Sequence, residues 1–115
     1  PVVAWLVVLD GPGKGQFRTV YAGSNPIGRA PGQRIAIDFG DDSISAEKQA
    51  FLVYDERKRQ YQLVPNLERP NLVYLNDTAL TANSDLKPRD RIMMGRTTLL
   101  FVPLCGTDFD WADVK

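Results

Sequence analysis

Turn-forming residues interrupt this chain so often that no long helix fits between them. Glycine, proline, asparagine and aspartate cluster at residues 11–15, 23–26 and 40–42, and short apolar or alternating runs lie between these clusters. No stretch keeps a helical period for the ~10 residues that a helix requires. About ten short strands, with a turn signal every ~8–12 residues, are typical of a β-sandwich or a β-barrel. The spacing therefore predicts an all-β fold.

The apolar runs are of two kinds. Residues 5–9 form a continuous apolar run, which is the pattern of a strand buried on both faces. Residues 16–21 and 49–54 alternate instead, as strands with two different faces do. Residues 91–94 and 98–102, separated by Gly95-Arg96, predict a closing hairpin. Trp5 and Phe101 are the aromatic candidates for the core.

The composition excludes several classes of function. The chain has 115 residues, the size of one domain, and its formal net charge is zero, so no overall field attracts nucleic acid or an anionic membrane. It has no histidine, the commonest general base and metal ligand, and a single cysteine excludes an internal disulfide. No run of about 18 apolar residues is present to enter a membrane. We therefore expect no enzymatic activity, no cofactor and a cytoplasmic location, free or as part of a larger protein.

Two further motifs have simple structural explanations. The glycines at positions 11, 13 and 15 are not followed by the Gly-Lys-Ser/Thr of a phosphate-binding loop, so they predict a hairpin turn. Asp38, Asp41 and Asp42 resemble part of a calcium loop but lack its glycine and its terminal glutamate. These aspartates are predicted to solvate a turn.

The last residues differ in character from the rest of the chain. Residues 1–104 carry the strand pattern and are predicted to form the domain. In residues 105–115, aspartates alternate with aromatic side chains, at Asp108, Phe109, Asp110, Trp111 and Asp113. This segment is either an ordered strap over the sandwich or the start of a linker. We favour a C-terminal tail or linker, because Pro103 interrupts the last strand pattern.

Three polar residues in separate loops form the most informative constellation. Arg29 supplies a cation, Ser45 a hydroxyl and Asn71 an amide with both a donor and an acceptor. Binding residues concentrate in loops at one end of a rigid sandwich. A cation and a hydroxyl suit a phosphate or carboxylate, and an amide suits the backbone of an extended peptide. The set therefore favours binding of an anionic peptide over a chemical reaction.

Four short motifs occur in order along the chain. They are Gly28-Arg29, Ser45-x-x-Lys48, Asn71 with Asn76, and Leu86-x-x-x-Asp90-x-Ile92-x-x-Gly95. In this order, over roughly residues 5–104, they resemble the forkhead-associated (FHA) domain, a module that recognises phosphothreonine peptides. The resemblance implies an FHA/SMAD-like β-sandwich of about ten to eleven short, mainly antiparallel strands.

The resemblance also implies roles for individual residues. Arg29 would approach the phosphopeptide, Ser45 would contact the phosphate, and Asn71 would contact the peptide. Gly28 and Asn76 would support the loops.

Several positions depart from the pattern of the family. Ala46 replaces an arginine directed at phosphate, and Pro70 replaces a serine or threonine hydroxyl. Lys48 replaces a histidine that stiffens the loop, and Leu72 replaces a glycine. Each lost charge-assisted hydrogen bond costs about 1.5–3 kcal/mol, so the two losses at Ala46 and Pro70 would weaken binding about a hundredfold or more. Three auxiliary cations are candidates to restore positive charge: Lys48, Arg69 and Arg34.

Two functions remain open at this point. The first is a protein-interaction module whose partner is a peptide phosphorylated on threonine or rich in acidic residues. The second is a phosphate-independent docking module within a larger assembly, such as a bacterial secretion or signalling complex. Considered singly, Arg29 also fits a surface position, Ser45 a turn cap and Asn71 a loop-stabilising role. The oligomeric state is open as well.

Overall fold

Eleven strands form two sheets that pack face to face in the computed structural model, which describes all 115 residues. In chain order the strands are β1 (Val2–Asp10), β2 (Phe17–Tyr21), β3 (Gly23–Gly28), β4 (Ile35–Ala36), β5 (Ala50–Asp55), β6 (Gln60–Pro65), β7 (Val73–Leu75), β8 (Thr78–Ala79), β9 (Ser84–Leu86), β10 (Arg91–Met94) and β11 (Thr97–Pro103). One sheet has the order β2-β1-β11-β10-β7-β8 and the other β4-β3-β5-β6-β9. Only β3 and β4 pair in parallel. The predicted sandwich of mainly antiparallel strands is confirmed.

The core lies between the sheets and is built by alternation along each strand. Leu6 and Val8 of β1 face Leu52 and Leu63 of the other sheet's central strands, and all four are almost fully buried. Three aromatic rings fill the centre: Tyr54 lies 4.4 Å from Tyr61, and Tyr61 lies 4.8 Å from Phe101, between ring centroids. Phe101 has no exposed surface, so its predicted place in the core is confirmed.

The prediction for residues 5–9 is wrong. Leu6 and Val8 are buried, but Trp5, Val7 and Leu9 are only half-buried because they lie on the outer face of the six-stranded sheet. No layer of this chain covers that face. Trp5 is therefore not a core residue.

The C-terminal residues pack along the sandwich as an ordered strap. Cys105 is buried, and the Tyr54 hydroxyl donates a hydrogen bond of 2.6 Å to Asp110. The Trp111 indole donates to the Val2 carbonyl at 2.7 Å. Arg59 makes two hydrogen bonds to the Asp113 carboxylate, at 2.7 and 3.0 Å. A single 3-10 turn, Trp111–Asp113, ends the strap, and the structure contains no helix that could cross a membrane.

Candidate functional site

Three loops meet at one end of the sandwich and carry most of the predicted site residues. They are residues 29–34 after β3, residues 37–49 between β4 and β5, and residues 66–72 between β6 and β7. Backbone hydrogen bonds join the first two loops: Arg29 N–H donates to Ser45 O at 3.0 Å, and Ala30 N–H donates to Ala46 O at 2.8 Å. The relative position of Arg29 and Ser45 is therefore fixed by the backbone.

Arg29 is half-buried and presents the end of its guanidinium group. Its Nε donates to the Ile44 carbonyl at 2.9 Å, and Arg29 belongs to none of the ion pairs in the structure. The terminal Nη groups have no acceptor within the protein. A guanidinium group held by Nε with both Nη groups free can bind an anion through two parallel hydrogen bonds.

Gly28, next to Arg29, lies where the two loops come closest. A Cβ atom at Gly28 would lie 2.5 Å from the Ala46 carbonyl oxygen and 3.0 Å from the Gln33 side chain. Any side chain larger than hydrogen would therefore push the loop of Ser45 away from the loop of Arg29.

Ser45 is held by its backbone and leaves its hydroxyl free. Its N–H donates to Gln49 Oε1 at 2.9 Å, and its carbonyl accepts from Arg29. The hydroxyl has no hydrogen-bond partner within the protein. Ser45 is half-buried, so this free hydroxyl sits beside Arg29 with limited freedom.

Gln49 joins the second loop to the third loop and to β3, and the sequence alone did not identify it. The side chain has no exposed surface; it accepts from Ser45 N–H and donates from Nε2 to the Asn71 carbonyl at 2.8 Å. Its backbone N–H donates to Ile27 O at 2.7 Å, and its carbonyl accepts from Asn66 N–H at 3.2 Å. The available signal was its position, a polar residue directly before a buried strand and four residues after Ser45.

Lys48 does not take part in this network through its side chain. It has a left-handed backbone (φ 51°), and its side chain is exposed and makes no hydrogen bond or ion pair. Its N–H donates to Gln33 Oε1, and its carbonyl accepts from Asn66 Nδ2, both at 2.8 Å. Gln49 is therefore the residue that stiffens the loop. It lies one position after Lys48, which occupies the place of the histidine that has this role in the family.

Asn71 connects the third loop to the second. Its Nδ2 donates to the Ser43 carbonyl, and its own carbonyl accepts from Gln49. The side chain is exposed, and Oδ1 has no partner in the protein. Asn71 thus keeps an acceptor available for the N–H of a bound chain.

Asp41 pins the loop of Ser45 to the turn between β10 and β11. It is buried and accepts hydrogen bonds from Ser43 N–H (3.0 Å), the Ser43 hydroxyl, Arg96 N–H (2.8 Å) and the Thr97 hydroxyl (2.7 Å). Burial raises the pKa of this carboxyl, but the hydrogen bonds outweigh burial and lower the pKa to about 2. The predicted solvated turn is wrong for Asp41, which is a buried structural anion.

Gly95 permits this contact. Its φ is 57°, and a Cβ atom there would lie 2.6 Å from the Ser43 hydroxyl. The Gly95-Arg96 turn can therefore approach Asp41 only without a side chain at position 95.

The auxiliary cations are placed differently from one another. Arg69 Nε donates to the Glu47 carbonyl at 3.0 Å, so Arg69 lies against the loop of Ser45. Arg34 instead lies over the Tyr21 ring, 5.6 Å from its centroid, and its side chain makes no hydrogen bond with the other site residues. The structure brings Arg69 to the site, leaves Lys48 exposed on its rim, and directs Arg34 elsewhere.

Asn76 lies in the turn between β7 and β8 and supports neighbouring segments. Its Nδ2 donates to Asp90 Oδ1 at 3.0 Å, and its Oδ1 accepts from Arg91 N–H at 2.9 Å. These bonds join its turn to β10 and leave no group directed at the three loops.

A shallow depression of about 320 Å³ adjoins Asn71. Its lining consists of Ser43, Asn71, Leu72, Tyr74, Gly95 and Arg96. The Arg96 side chain is 68% exposed and lies 3.6 Å from Asp41, so solvent screens this ion pair and leaves the cation available. A second depression, of about 360 Å³, lies under the C-terminal strap and contains none of the predicted site residues.

The chain matches no protein-family model and no curated protein, but its structure is similar to solved domains. The FHA domain of an Arabidopsis thaliana hypothetical protein has a TM-score of 0.76 and 25% identity, over 95% of this chain and 92% of that chain. The N-terminal FHA domain of S. cerevisiae Rad53p, in complex with a phosphothreonine peptide, has a TM-score of 0.73 and 16% identity over 89% and 94%.

A third neighbour comes from a secretion system. The cytoplasmic domain of the T3SS sorting platform protein PscD from P. aeruginosa has a TM-score of 0.69 and 16% identity over 89% of this chain and 81% of that chain. The strand order, the loop arrangement and these similarities lead to one conclusion: this chain has the fold of a forkhead-associated domain.

Proposed function

We propose that this chain is a non-enzymatic interaction module that binds a phosphothreonine-containing or acidic peptide at the three loops. The observation that carries the proposal is the pairing of Arg29 and Ser45. A backbone hydrogen bond fixes the two residues beside each other, while the guanidinium end and the hydroxyl have no partner in the protein. Free donors in a preorganised position favour an anionic ligand, because little ordering entropy remains to be lost on binding.

Each group has a defined part in this proposal. Arg29 donates two parallel hydrogen bonds to phosphate or carboxylate oxygens, and the Ser45 hydroxyl donates a third. Asn71 Oδ1 accepts an N–H of the peptide backbone. Arg69 adds positive charge beside the Ser45 loop, and Lys48 does so from the rim at longer range.

Fold similarity supports the same class of partner. A neighbour of this fold was solved with a phosphothreonine peptide, and phosphopeptide reading by arginine-bearing loops is an established mode of recognition. The module would act in the cytoplasm, and we assign no catalytic residue to it.

The test compares peptide binding by the wild type and two arginine variants. A degenerate phosphothreonine library and its unphosphorylated counterpart are titrated by calorimetry or fluorescence polarisation. Arg29→Ala removes two charged hydrogen bonds, so we expect at least a tenfold weaker affinity for the phosphorylated library. Arg34→Ala is the matched control, because Arg34 lies over Tyr21, and it should bind as the wild type does.

A second candidate is docking that does not depend on phosphate. Ala46 and Pro70 lack groups that would contact phosphate, and a T3SS sorting platform protein contains a cytoplasmic domain of this fold. Equal binding of both libraries, unchanged by Arg29→Ala, would select this candidate and reject the first.

A further inference from the structure

The depression beside Asn71 has a lining that suits one class of side chain. Its six lining residues include one cation, Arg96, and no acidic residue. Leu72, which is 45% exposed, and the half-buried Tyr74 add apolar surface. Its volume of about 320 Å³ is enough for one long side chain of a ligand. The depression therefore offers a positive charge next to an apolar wall.

The guanidinium group of Arg96 has no hydrogen-bond partner within the protein. The backbone N–H of Arg96 donates to Asp41, but the side-chain Nε lies 3.6 Å from the nearest Asp41 oxygen, which is too far for a hydrogen bond. Each Asp41 oxygen already accepts two hydrogen bonds, from the Ser43 N–H and hydroxyl and from the Arg96 N–H and the Thr97 hydroxyl. The side-chain donors of Arg96 are therefore available to a ligand.

The free guanidinium group decides which ligand side chain fits the depression. A carboxylate can accept two parallel hydrogen bonds from an arginine. A basic side chain would be repelled by Arg96, and an apolar one would remove water from the guanidinium group without replacing the lost hydrogen bonds. An acidic side chain is therefore the one that the depression accommodates best.

The depression lies within reach of a peptide bound at Arg29 and Ser45. Ser43, which lines the depression, is two residues from Ser45, so the two Cα atoms are at most about 7 Å apart. Asn71 lines the depression as well, and its free Oδ1 can accept an N–H of the same bound chain. An extended peptide advances about 3.3 Å per residue. A ligand held at Ser45 therefore reaches the depression two or three residues further along.

We propose that this depression selects an acidic side chain of the bound peptide, two or three residues from the residue held by Arg29 and Ser45, and that Arg96 determines this specificity. The inference rests on the proposed function, because binding at Arg29 and Ser45 brings the peptide to the depression. Leu72 occupies a position where the family pattern has glycine, so the apolar wall is particular to this chain. The methylene groups of a glutamate can lie against Leu72 while its carboxylate reaches Arg96.

Paired phosphothreonine peptides test the inference by fluorescence polarisation. The two peptides of each pair differ only in a glutamate or a glutamine at one position, and the pairs cover the three positions on either side of the phosphothreonine. At one position two or three residues away, we expect the wild type to bind glutamate about threefold to fivefold more tightly than glutamine. Arg96→Gln should bind both peptides equally, with the affinity that the wild type has for the glutamine peptide. Arg96→Lys should restore part of the preference.

Arg57→Gln is the matched control, because it removes the same charge from an exposed arginine at the other end of the sandwich. Arg57 lies in the turn between β5 and β6, and β5 begins directly after the loop of Ser45 and runs away from it. This variant should keep the wild-type preference for glutamate. A preference that is absent from the wild type, survives Arg96→Gln or is lost in Arg57→Gln would overturn the inference.

A second measurement separates failure of this inference from failure of the proposed function. N-acetylglutamate amide at millimolar concentration, followed by NMR, should shift the amides of Leu72 and Gly95 in the wild type and not in Arg96→Gln. Phosphopeptides that bind without a preference for glutamate would overturn the inference and leave the proposed function intact. Shifts with this probe and no binding of any phosphopeptide would support the acidic subsite and reject the phosphopeptide function. The absence of both signals would overturn both proposals.

Discussion

Replacing Asp41 with asparagine should strongly destabilise the fold while changing almost no volume. Four hydrogen bonds converge on the Asp41 carboxylate, from Ser43 N–H and its hydroxyl, Arg96 N–H and the Thr97 hydroxyl. Asparagine keeps one acceptor oxygen and presents an NH₂ group to the remaining donors. A hydroxyl can rotate and accept from this NH₂ group, but a backbone N–H cannot, so at least one hydrogen bond is lost and the other three lose their charged acceptor.

The expected cost follows from the charge of the acceptor. Hydrogen bonds to charged groups contribute about 1.5–3 kcal/mol each and neutral ones about 0.5–1.5 kcal/mol, so losing one and removing the charge from the acceptor of the other three costs about 4–7 kcal/mol. A small domain has a total unfolding free energy of about 5–15 kcal/mol, so this is a large fraction. The ion pair with Arg96 adds little, because the Arg96 side chain is 68% exposed.

The Asp41 carboxylate should also make the free energy of unfolding fall at acidic pH. The pKa of Asp41 is about 2 in the folded chain, against an ordinary value of 3.8. The unfolded chain therefore takes up the proton first, and Asp41 stabilises the fold fully above pH 3.8. This stability, on the order of 2 kcal/mol, is lost as the pH falls through the folded pKa.

Denaturant unfolding, followed by tryptophan fluorescence at neutral pH and again between about pH 5 and pH 2, measures both effects. Asp41→Asn should be less stable than the wild type at neutral pH, and the difference should shrink as the pH falls. Asp42→Asn is the control, since Asp42 is exposed and makes no side-chain hydrogen bond. An Asp41→Asn variant within about 0.5 kcal/mol of the wild type would refute the reasoning.

Two further substitutions test how the loops are held together. Gln49→Ala removes the side chain that joins Ser45 to Asn71, so we expect faster amide exchange at Ser45 and weaker peptide binding, both measured by NMR. Gln62→Ala, at an exposed position of β6, should change neither measurement. Gly28→Ala places a Cβ atom 2.5 Å from the Ala46 carbonyl, so it should lower the melting temperature by several degrees and weaken peptide binding. A Gly28→Ala variant with wild-type melting and binding would contradict the close approach of the two loops.

The fold could be predicted from the sequence because local turn chemistry specifies it. Clusters of glycine, proline and aspartate set strand lengths, and the order of the FHA-like motifs set the topology. The outward position of Trp5 could not be predicted from the sequence. A continuous apolar run predicts a strand that is buried on both faces, but it does not show whether a layer of this chain covers each face. The packing of residues 105–115 could not be predicted for a related reason: Pro103 ends a strand pattern locally, while Trp111 and Asp113 are held by residues distant in sequence, Val2 and Arg59.

The exposed polar groups of the candidate site could be predicted from the sequence, but the buried residues that hold its loops in place could not. Arg29, Ser45 and Asn71 follow from chemistry that a ligand would need, which the motifs carry in short segments. Gln49 and Asp41 act by joining segments distant in sequence, and their roles depend on burial that only the folded chain reveals. An aspartate beside other aspartates has the sequence pattern of a solvated turn. Only the folded structure shows the hydrogen-bond donors that surround Asp41.

The departures from the family pattern affect groups that would contact a ligand, and they do not affect the groups that hold the loops in place. Ala46 and Pro70 remove side-chain groups that would contact a ligand, but the Ala46 carbonyl still accepts from Ala30 N–H and the backbone geometry needs no arginine there. The groups that hold the loops remain satisfied: Gln49 provides the loop-stiffening contacts, and no buried side-chain polar atom lacks a partner. A surface under no demand to keep its loops in place would not need a fully buried glutamine that joins two of them to each other and to β3. The proposed peptide-binding function is compatible with these intact supports, and it would depend more on Arg29 than the family pattern implies, because Ala46 and Pro70 supply no side-chain contact to an anion.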